Sequence, residues 1–150
     1  MKKELNYLLY GIDTSKKLLH SKWATPVNAA QIKEGLQHLV STLHNKDVEL
    51  WIHESRHLHE LTKDDKTWII EVLGLILLQS NLKYIAIVRP QGIEASNVGK
   101  AIRDKAYRIY GKRIGIEFFD TTEEAKAWIL PNLQHYRLPA LSSPVILGSM

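Results

Sequence analysis

The sequence predicts an α/β domain in which helices pack, in two or three layers, on a mostly parallel sheet of about five strands. Short apolar runs without strict polar alternation recur along the chain, which is typical of strands buried on both faces. Longer segments with helical spacing of apolar residues separate them. The 150 residues are 45% hydrophobic and 24% charged, an ordinary globular composition. The chain has no Cys, which excludes a disulfide framework, a thiolate metal site and a Cys nucleophile.

The chain opens with a predicted hairpin and a helix. Two apolar runs, residues 7–12 and Leu18–Trp23, flank a turn-rich segment, so we expect two antiparallel strands. Thr25 and Pro26 form a typical helix opening, a hydroxyl that can accept a backbone N–H followed by proline at the first helical position. Apolar residues at helical spacing extend that helix to about His44.

A second strand–helix pair follows. Residues 48–52 predict a buried strand that runs into a polar loop over residues 53–60. Thr62, with Asp65 three residues later, predicts the capped start of a helix that Asn81 ends. This helix is apolar on nearly all sides, which favours burial on more than one face.

The strand–helix alternation then repeats twice. The predicted elements are a strand at Tyr84–Val88, a helix capped by Ser96 or Asn97 and running to Tyr110, a strand at 114–119, and a helix opened by a Thr121/Glu124 capping box and closed by Pro131. The order is therefore β-β-α-β-α-β-α-β-α, with the first strand antiparallel. We expect a single domain over residues 1–134 and a C-terminal tail over 135–150.

Charge and hydropathy narrow the class of protein. The net charge of +4 is well below that of a dedicated nucleic-acid binder, so a nucleic-acid partner is not expected. The most apolar stretch, residues 68–78, is shorter than the about 20 residues that a membrane span needs. No secretory signal is legible near the start, and we expect a cytoplasmic protein.

The layout resembles the bacterial STAS-like family, the SpoIIAA-like proteins related to the sporulation anti-anti-sigma factor. The resemblance covers roughly residues 5–129 and depends on the order and spacing of several pieces. These are the hairpin ending in Trp23, the helix beginning Thr25-Pro26, Leu50-Trp51-Ile52 leading into His53-Glu54-Ser55-Arg56, the early Trp68 of the next helix, and the segments 82–88, 116–120 and 124–129.

The resemblance implies a non-enzymatic regulatory domain that binds a protein or a small ligand and needs no cofactor. In anti-anti-sigma members, a Ser after the third strand is phosphorylated at the N-terminus of the next helix. The matching loop carries five candidate residues, of which Ser55 and Thr62 are the hydroxyls: His53, Glu54, Ser55, Arg56 and Thr62. The family's Asp-Ser-Ser-Gly type signature is missing, and Glu54-Ser55-Arg56-His57 stands there instead.

The same loop matches the zinc-hydrolase pattern H-E-x-x-H through His53, Glu54 and His57. In that chemistry two His at i and i+4 on one helix face bind the metal, and the Glu polarises a water. Here the motif directly follows a predicted strand, and no strong helix cap precedes it. We therefore interpret it as a polar βα loop without a metal, and keep zinc hydrolysis as an alternative function.

A second alternative is a surface for RNA or anionic lipid over residues 100–113. Six basic residues lie there with one acidic residue, Asp104, and Tyr107 and Tyr110 could stack on bases. The opposing interpretation is a solvated helix face on which both tyrosines pack inward.

The apolar helix over residues 62–80 also bears on assembly. Its polar stripe is thin, and an exposed patch this apolar would favour aggregation unless it were covered. The tail could cover it, but the commonest closed solution is a two-fold dimer. We predict a homodimer built around this helix or the tail, with Leu75 and Leu78 as the residues to test.

Overall fold

The computed structural model describes residues 5–56, 61–89 and 93–137, and for residues 93–98 and 131–137 it describes the backbone alone. Five strands form one sheet in the sequential order β1-β2-β3-β4-β5. The strands are β1 (Leu8–Asp13), β2 (Leu18–Trp23), β3 (Leu50–Glu54), β4 (Tyr84–Val88) and β5 (Gly115–Phe119). β1 is antiparallel to β2, and each later neighbour is parallel, as predicted.

Four helices connect and follow the parallel strands. They are α1 (Ala29–Asn45), α2 (Lys63–Trp68 continued by a π turn at Ile69–Leu73 and by Gly74–Leu78), α3 (Ile93–Tyr110) and α4 (Thr122–Arg137). Parallel strands added in one direction by right-handed crossovers place all the connecting helices on one face of the sheet. α4 follows the last strand and packs on the other face, so the domain has three layers.

The core is divided by the sheet. On the α1 face, Leu36, Leu39 and Leu43 pack with Leu19 and Trp51. On the α4 face, the side chains in contact are those of Leu18, Leu50, Ile52, Ala86, Val88, Ala125, Ile129 and Leu130. α4 contacts β3, β4 and β5, so on this face the described helices leave β1 and most of β2 uncovered. Leu9, on that side of β1, is 52% exposed.

Two predicted helix ends are wrong. α1 begins at Ala29 after the N-cap Asn28, and not at Thr25-Pro26. The Asn28 side chain accepts the Gln31 N–H at 2.9 Å, and the Gln31 side chain accepts the Asn28 N–H at 3.0 Å, a reciprocal pairing that a lone Thr cannot provide. α4 continues through Pro131 to Arg137. Proline removes one backbone donor, and here the helix continues past it.

The segment over residues 62–80 is helical, as predicted, but it is not buried on several faces. Its predicted start is confirmed, because Thr62 accepts the Asp65 N–H at 3.1 Å and Asp65 accepts the Thr62 N–H at 3.0 Å. Val72, Leu75 and Ile76 are nevertheless 44%, 49% and 43% exposed. The described part of the chain contains no helix that is long and apolar enough to cross a membrane.

Two more boundaries differ from the prediction. α3 begins at Ile93, before the proposed caps Ser96 and Asn97. β3 is shifted toward the C-terminus and ends at Glu54, so residues 53 and 54 belong to the sheet. Residues 138–150 of the predicted tail lie outside the described residues.

Candidate functional site

The carboxyl end of β3 carries the predicted site, and the sheet sorts its residues onto two faces. β3 lies between two parallel partners, with Glu54 aligned to Lys22 of β2 and to Val88 of β4. Successive side chains of a strand point to opposite faces. His53 therefore lies on the α1 face and Glu54 on the α4 face, and the two side chains make hydrogen bonds to different residues.

Glu54 is the centre of a polar cluster on the α4 face. Its Oε2 lies 2.6 Å from Nε2 of His20, and its Oε1 lies 3.9 Å from Nε of Arg56. Thr122, at the start of α4, also hydrogen-bonds to the Glu54 carboxylate, and it accepts from Arg56 at 3.5 Å. We call these four residues, His20, Glu54, Arg56 and Thr122, the Glu54 cluster.

The Glu54 cluster keeps a carboxylate charged at the edge of the sheet. Burial alone would raise the pKa of Glu54, since its side chain is only 13% exposed. The hydrogen bonds from His20 and Thr122 and the positive charge of Arg56 outweigh burial, and the pKa is lower than usual. Arg56 is 46% exposed, so the cluster presents a positioned ion pair to the surroundings.

His53 belongs to a buried cluster on the α1 face. Its Nδ1 lies 2.7 Å from Oγ of Ser21, and the Trp51 Nε1–H donates to the same Oγ at 2.8 Å. The Trp23 and His53 rings pack edge to face, with their centroids 5.1 Å apart. Gly35 of α1 permits this arrangement, because a Cβ there would lie 2.6 Å from the Trp23 ring.

The hydrogen-bond count assigns the tautomer of His53. The Ser21 oxygen accepts from Trp51, and the described residues show no other acceptor for its hydrogen, so we infer that this hydrogen is donated to Nδ1 of His53. The ring proton is then on Nε2, for which the described structure offers no hydrogen-bond partner. Desolvation by burial lowers the pKa of His53 to about 4. His53 is a neutral, buried base with one unpaired N–H.

The two candidate hydroxyls have different environments. Ser55 is buried, and its hydroxyl donates to the Val88 carbonyl at 2.9 Å. Thr62 is exposed, but its oxygen caps α2, whose first turn contains Asp64 and Asp65. A phosphate on Thr62 would meet these two carboxylates as well as the helix N-terminus. Ser55 and Thr62 stay candidate phosphoacceptors.

The arrangement of the H-E-x-x-H motif does not match that of a zinc hydrolase. His53 and Glu54 lie in a strand and on opposite faces of the sheet, whereas the chemistry requires both His on one helix face. His57, the second ligand of the motif, lies outside the described residues. No group of three or more His, Asp or Glu side chains that could hold a metal ion occurs within the ranges that the structure describes.

In the basic segment over residues 100–113, Arg103 and the two tyrosines make contacts within the chain. Arg103 lies 3.1 Å from Asp104 and 3.5 Å from Glu117, and its guanidinium covers the Phe118 ring. The Tyr107 hydroxyl accepts the Ile116 N–H at 2.7 Å, and the Tyr110 hydroxyl donates to the Ile70 carbonyl at 3.0 Å. Both rings are therefore engaged in packing rather than offered to bases.

Sequence reasoning missed His20, Ser21 and Thr122. The first two lie in β2, more than 30 residues before Glu54, and Thr122 is the first residue of α4. Pairing of β2 with β3 places His20 and Ser21 at the site, and the packing of α4 on the sheet places Thr122 there. A hint was available, because polar residues at two consecutive positions of a hairpin strand suggest partners on both faces of the sheet.

No family model, no curated protein and no solved structure matches this chain.

Proposed function

We propose that this chain is a STAS-like interaction domain that binds a protein partner at the carboxyl edge of β3 and carries out no reaction of its own. The observation that carries the proposal is the Glu54 cluster, in which a charged carboxylate and a half-exposed arginine are held in place by His20 and Thr122. Positioned, partly exposed charges of this kind give a protein interface its specificity.

The form of the surface favours a protein over a small ligand. In open α/β sheets, small ligands occupy the crevice where strand order reverses, at the carboxyl ends of the strands. Here the order is sequential throughout, so no such reversal occurs within the described sheet. The Glu54 cluster instead adjoins the uncovered face of β1 and β2, where Leu9 and Lys22 are exposed. A broad, mixed apolar and charged face suits a protein partner.

Affinity capture from a lysate of the source organism tests this proposal with three baits. Arg56→Glu reverses the exposed charge of the cluster, and Lys46→Glu makes the same charge change at an exposed position after α1, near the other edge of the sheet. We expect the wild type and Lys46→Glu to retain the same protein and Arg56→Glu to retain about tenfold less, because like charges at an interface are strongly unfavourable. Equal capture by all three baits, or capture of a small molecule alone, contradicts the proposal.

We also propose that two copies of the chain associate through α2. Val72, Leu75 and Ile76 lie on one side of this helix and are each more than 40% exposed. A two-fold axis would bring this patch against itself and bury it on both subunits. We further assign the protein to the cytoplasm, an expectation supported by its lack of Cys.

Sedimentation of the purified protein tests the dimer. We expect a dimer for the wild type and a monomer for Leu75→Glu, since a buried, unpaired carboxylate would oppose association. Thr67→Glu places the same charge at an exposed position outside the patch and is expected to remain dimeric. A wild type that sediments as a monomer at high micromolar concentration contradicts the dimer.

A further inference from the structure

His20 uses one ring nitrogen to bind Glu54, and its other ring nitrogen is accessible to solvent. Nε2 of His20 lies 2.6 Å from Oε2 of Glu54, and no group of the described chain hydrogen-bonds to Nδ1. Among the described side chains, the one buried polar atom without a hydrogen-bond partner is Nε2 of His53, so Nδ1 of His20 reaches solvent. The His20 side chain is 34% exposed.

The charge on Glu54 determines which nitrogen of neutral His20 carries the proton. Burial raises the pKa of Glu54, but its hydrogen bonds to His20 and Thr122 lower it more, so the carboxylate is charged and accepts the Nε2–H. The other nitrogen, Nδ1, then has a free lone pair. A carboxylate bonded to one ring nitrogen fixes the tautomer and makes the other nitrogen more basic. Neutral His20 therefore presents a nucleophilic nitrogen at the surface.

The uncovered face of β1 leaves space beside the His20 ring. Nε2 is turned toward β3, and on the other side of His20 the residue directly opposite, on β1, is Gly11. Side chains at directly opposite positions share one face and have Cβ atoms about 5 Å apart. A Cβ at Gly11 would meet no described atom within 4 Å. A group attached to the ring therefore has room over β1.

The charges around this space favour an anionic group. Lys22 lies two residues beyond His20 on the same face of β2, is exposed, and forms no ion pair within the described chain. Asp13, the acid of β1 on this face, is already bonded to Ser15 and Lys16. A lysine ammonium on a flexible stem is a common partner of phosphate. A metal ion is disfavoured, because the described residues contain no group of three possible ligands.

We propose that His20 accepts a phosphoryl group on Nδ1 from an acyl phosphate. The Nδ1 lone pair forms a bond to phosphorus, the bond from phosphorus to the acyl oxygen breaks, and the carboxylate leaves with that electron pair. Nε2 keeps its proton, so the ring becomes positively charged opposite the Glu54 carboxylate. This carboxylate stabilises the charged ring as the aspartate of a Ser-His-Asp triad stabilises its imidazolium. The transfer modifies the chain itself and does not depend on the partner proposed above.

Incubation of the full-length chain with acetyl phosphate tests the proposal. We expect one phosphoryl group per chain, located on His20 by fragment mass spectrometry, and a changed ¹⁵N signal of Nδ1. The modification should survive in base and be lost in acid, because it is a phosphorus–nitrogen bond. His20→Gln should abolish it, and circular dichroism checks that this variant folds.

Two further variants separate phosphoryl transfer from a purely structural His20–Glu54 pair. Glu54→Gln removes the charge opposite the ring and should slow the transfer about tenfold, whereas Glu49→Gln removes a charge paired with Lys17 and should change it less than about twofold. Gly11→Val fills the space beside the ring with a residue that suits a strand, and should slow the transfer about tenfold or more. Leu9→Val, on the same face of β1, should leave the rate unchanged.

The opposite outcomes contradict the proposal. Absence of modification, or modification of the exposed His44 as fast as of His20, overturns it. Equal rates in Glu54→Gln and Glu49→Gln, or in Gly11→Val and Leu9→Val, would also overturn it. A phosphate that survives acid would be an ester on a hydroxyl, such as that of Ser55 or Thr62, and would assign the modification elsewhere.

Discussion

His53 and Glu54 are neighbours in one strand, yet the sheet gives them opposite roles. His53 lies under α1 and is neutral, because burial makes its charged form unfavourable. Glu54 lies beside the start of α4 and stays charged, because His20, Thr122 and Arg56 stabilise its carboxylate. A lowered pKa therefore has opposite consequences at the two residues, a lost charge on the base and a retained charge on the acid. The His53 side is structural, and the Glu54 side is the one that we propose binds a partner.

The largest loss of stability is expected from Ser21→Ala, which removes the hydrogen bonds between Ser21 and its buried partners Trp51 and His53. Alanine removes the acceptor of the Trp51 N–H and the donor to His53 together. Each buried polar group left unpaired costs about 1–3 kcal/mol, so the free energy of unfolding should fall by about 4 kcal/mol. Urea unfolding measures it. Ser41→Ala, an exposed site in α1, should change stability by less than about 0.5 kcal/mol. A similar value for both variants would show that the buried cluster contributes nothing.

Acid should weaken the fold through the same cluster. Burial lowers the pKa of His53 from its usual value of 6.5 to about 4 in the folded protein. Between these values the unfolded chain binds a proton that the folded chain does not, so the free energy of unfolding falls as the pH falls. The loss from pH 7 to pH 4 should approach about 3 kcal/mol.

The variant His53→Leu checks this assignment, because leucine cannot titrate. Its stability should fall much less than that of the wild type over this pH window, when both are measured by urea unfolding. His44→Gln, which removes an exposed histidine, should retain the wild-type acid sensitivity. If His53→Leu loses as much stability as the wild type, the acid sensitivity has another source.

The smallest effect on stability is expected on the Glu54 side. Glu54→Gln keeps the shape of the side chain but removes the charge that Arg56 neutralises, and should lower the free energy of unfolding by about 1 kcal/mol at pH 7. The lowered pKa of Glu54 means that this contribution is present above its usual value of 4.5 and is lost as the pH falls below it. Glu49→Gln provides the matched control, because Glu49 lies 3.4 Å from Lys17. We expect it to lower the free energy of unfolding by less than Glu54→Gln does. The reverse order would contradict a special role for the Glu54 cluster.

The fold could be predicted well from local patterns. The element order, the antiparallel first strand and the Thr62/Asp65 cap of α2 all follow from periodicity and capping chemistry, and all are confirmed. The extent of β3 was not predictable, because His53 and Glu54 are polar and become sheet residues only through Ser21 and His20 of the neighbouring strand. The sequence indicated an apolar patch on α2 but not its position, since an apolar sequence cannot say which side chains find partners.

The site was predictable in part. The polar residues after the predicted strand drew attention to the carboxyl edge of the sheet, where the Glu54 cluster lies, but the loop interpretation would have placed His53 and Glu54 together in one environment. Their separation depends on strand pairing between residues more than 30 positions apart, which no local pattern contains. The contribution of Thr122 depends in addition on α4 packing on the opposite face from α1.

The protonation of the His53 ring tests most directly the claim that the end of β3 has one neutral, structural side and one charged side. ¹⁵N NMR of the imidazole nitrogens reports both the tautomer and the titration midpoint in the intact protein. We predict that at pH 7 Nε2 of His53 carries the proton and Nδ1 accepts from Ser21, with a midpoint near 4 as the protein is acidified. A midpoint between 6 and 7, or a proton on Nδ1 at neutral pH, would contradict the account.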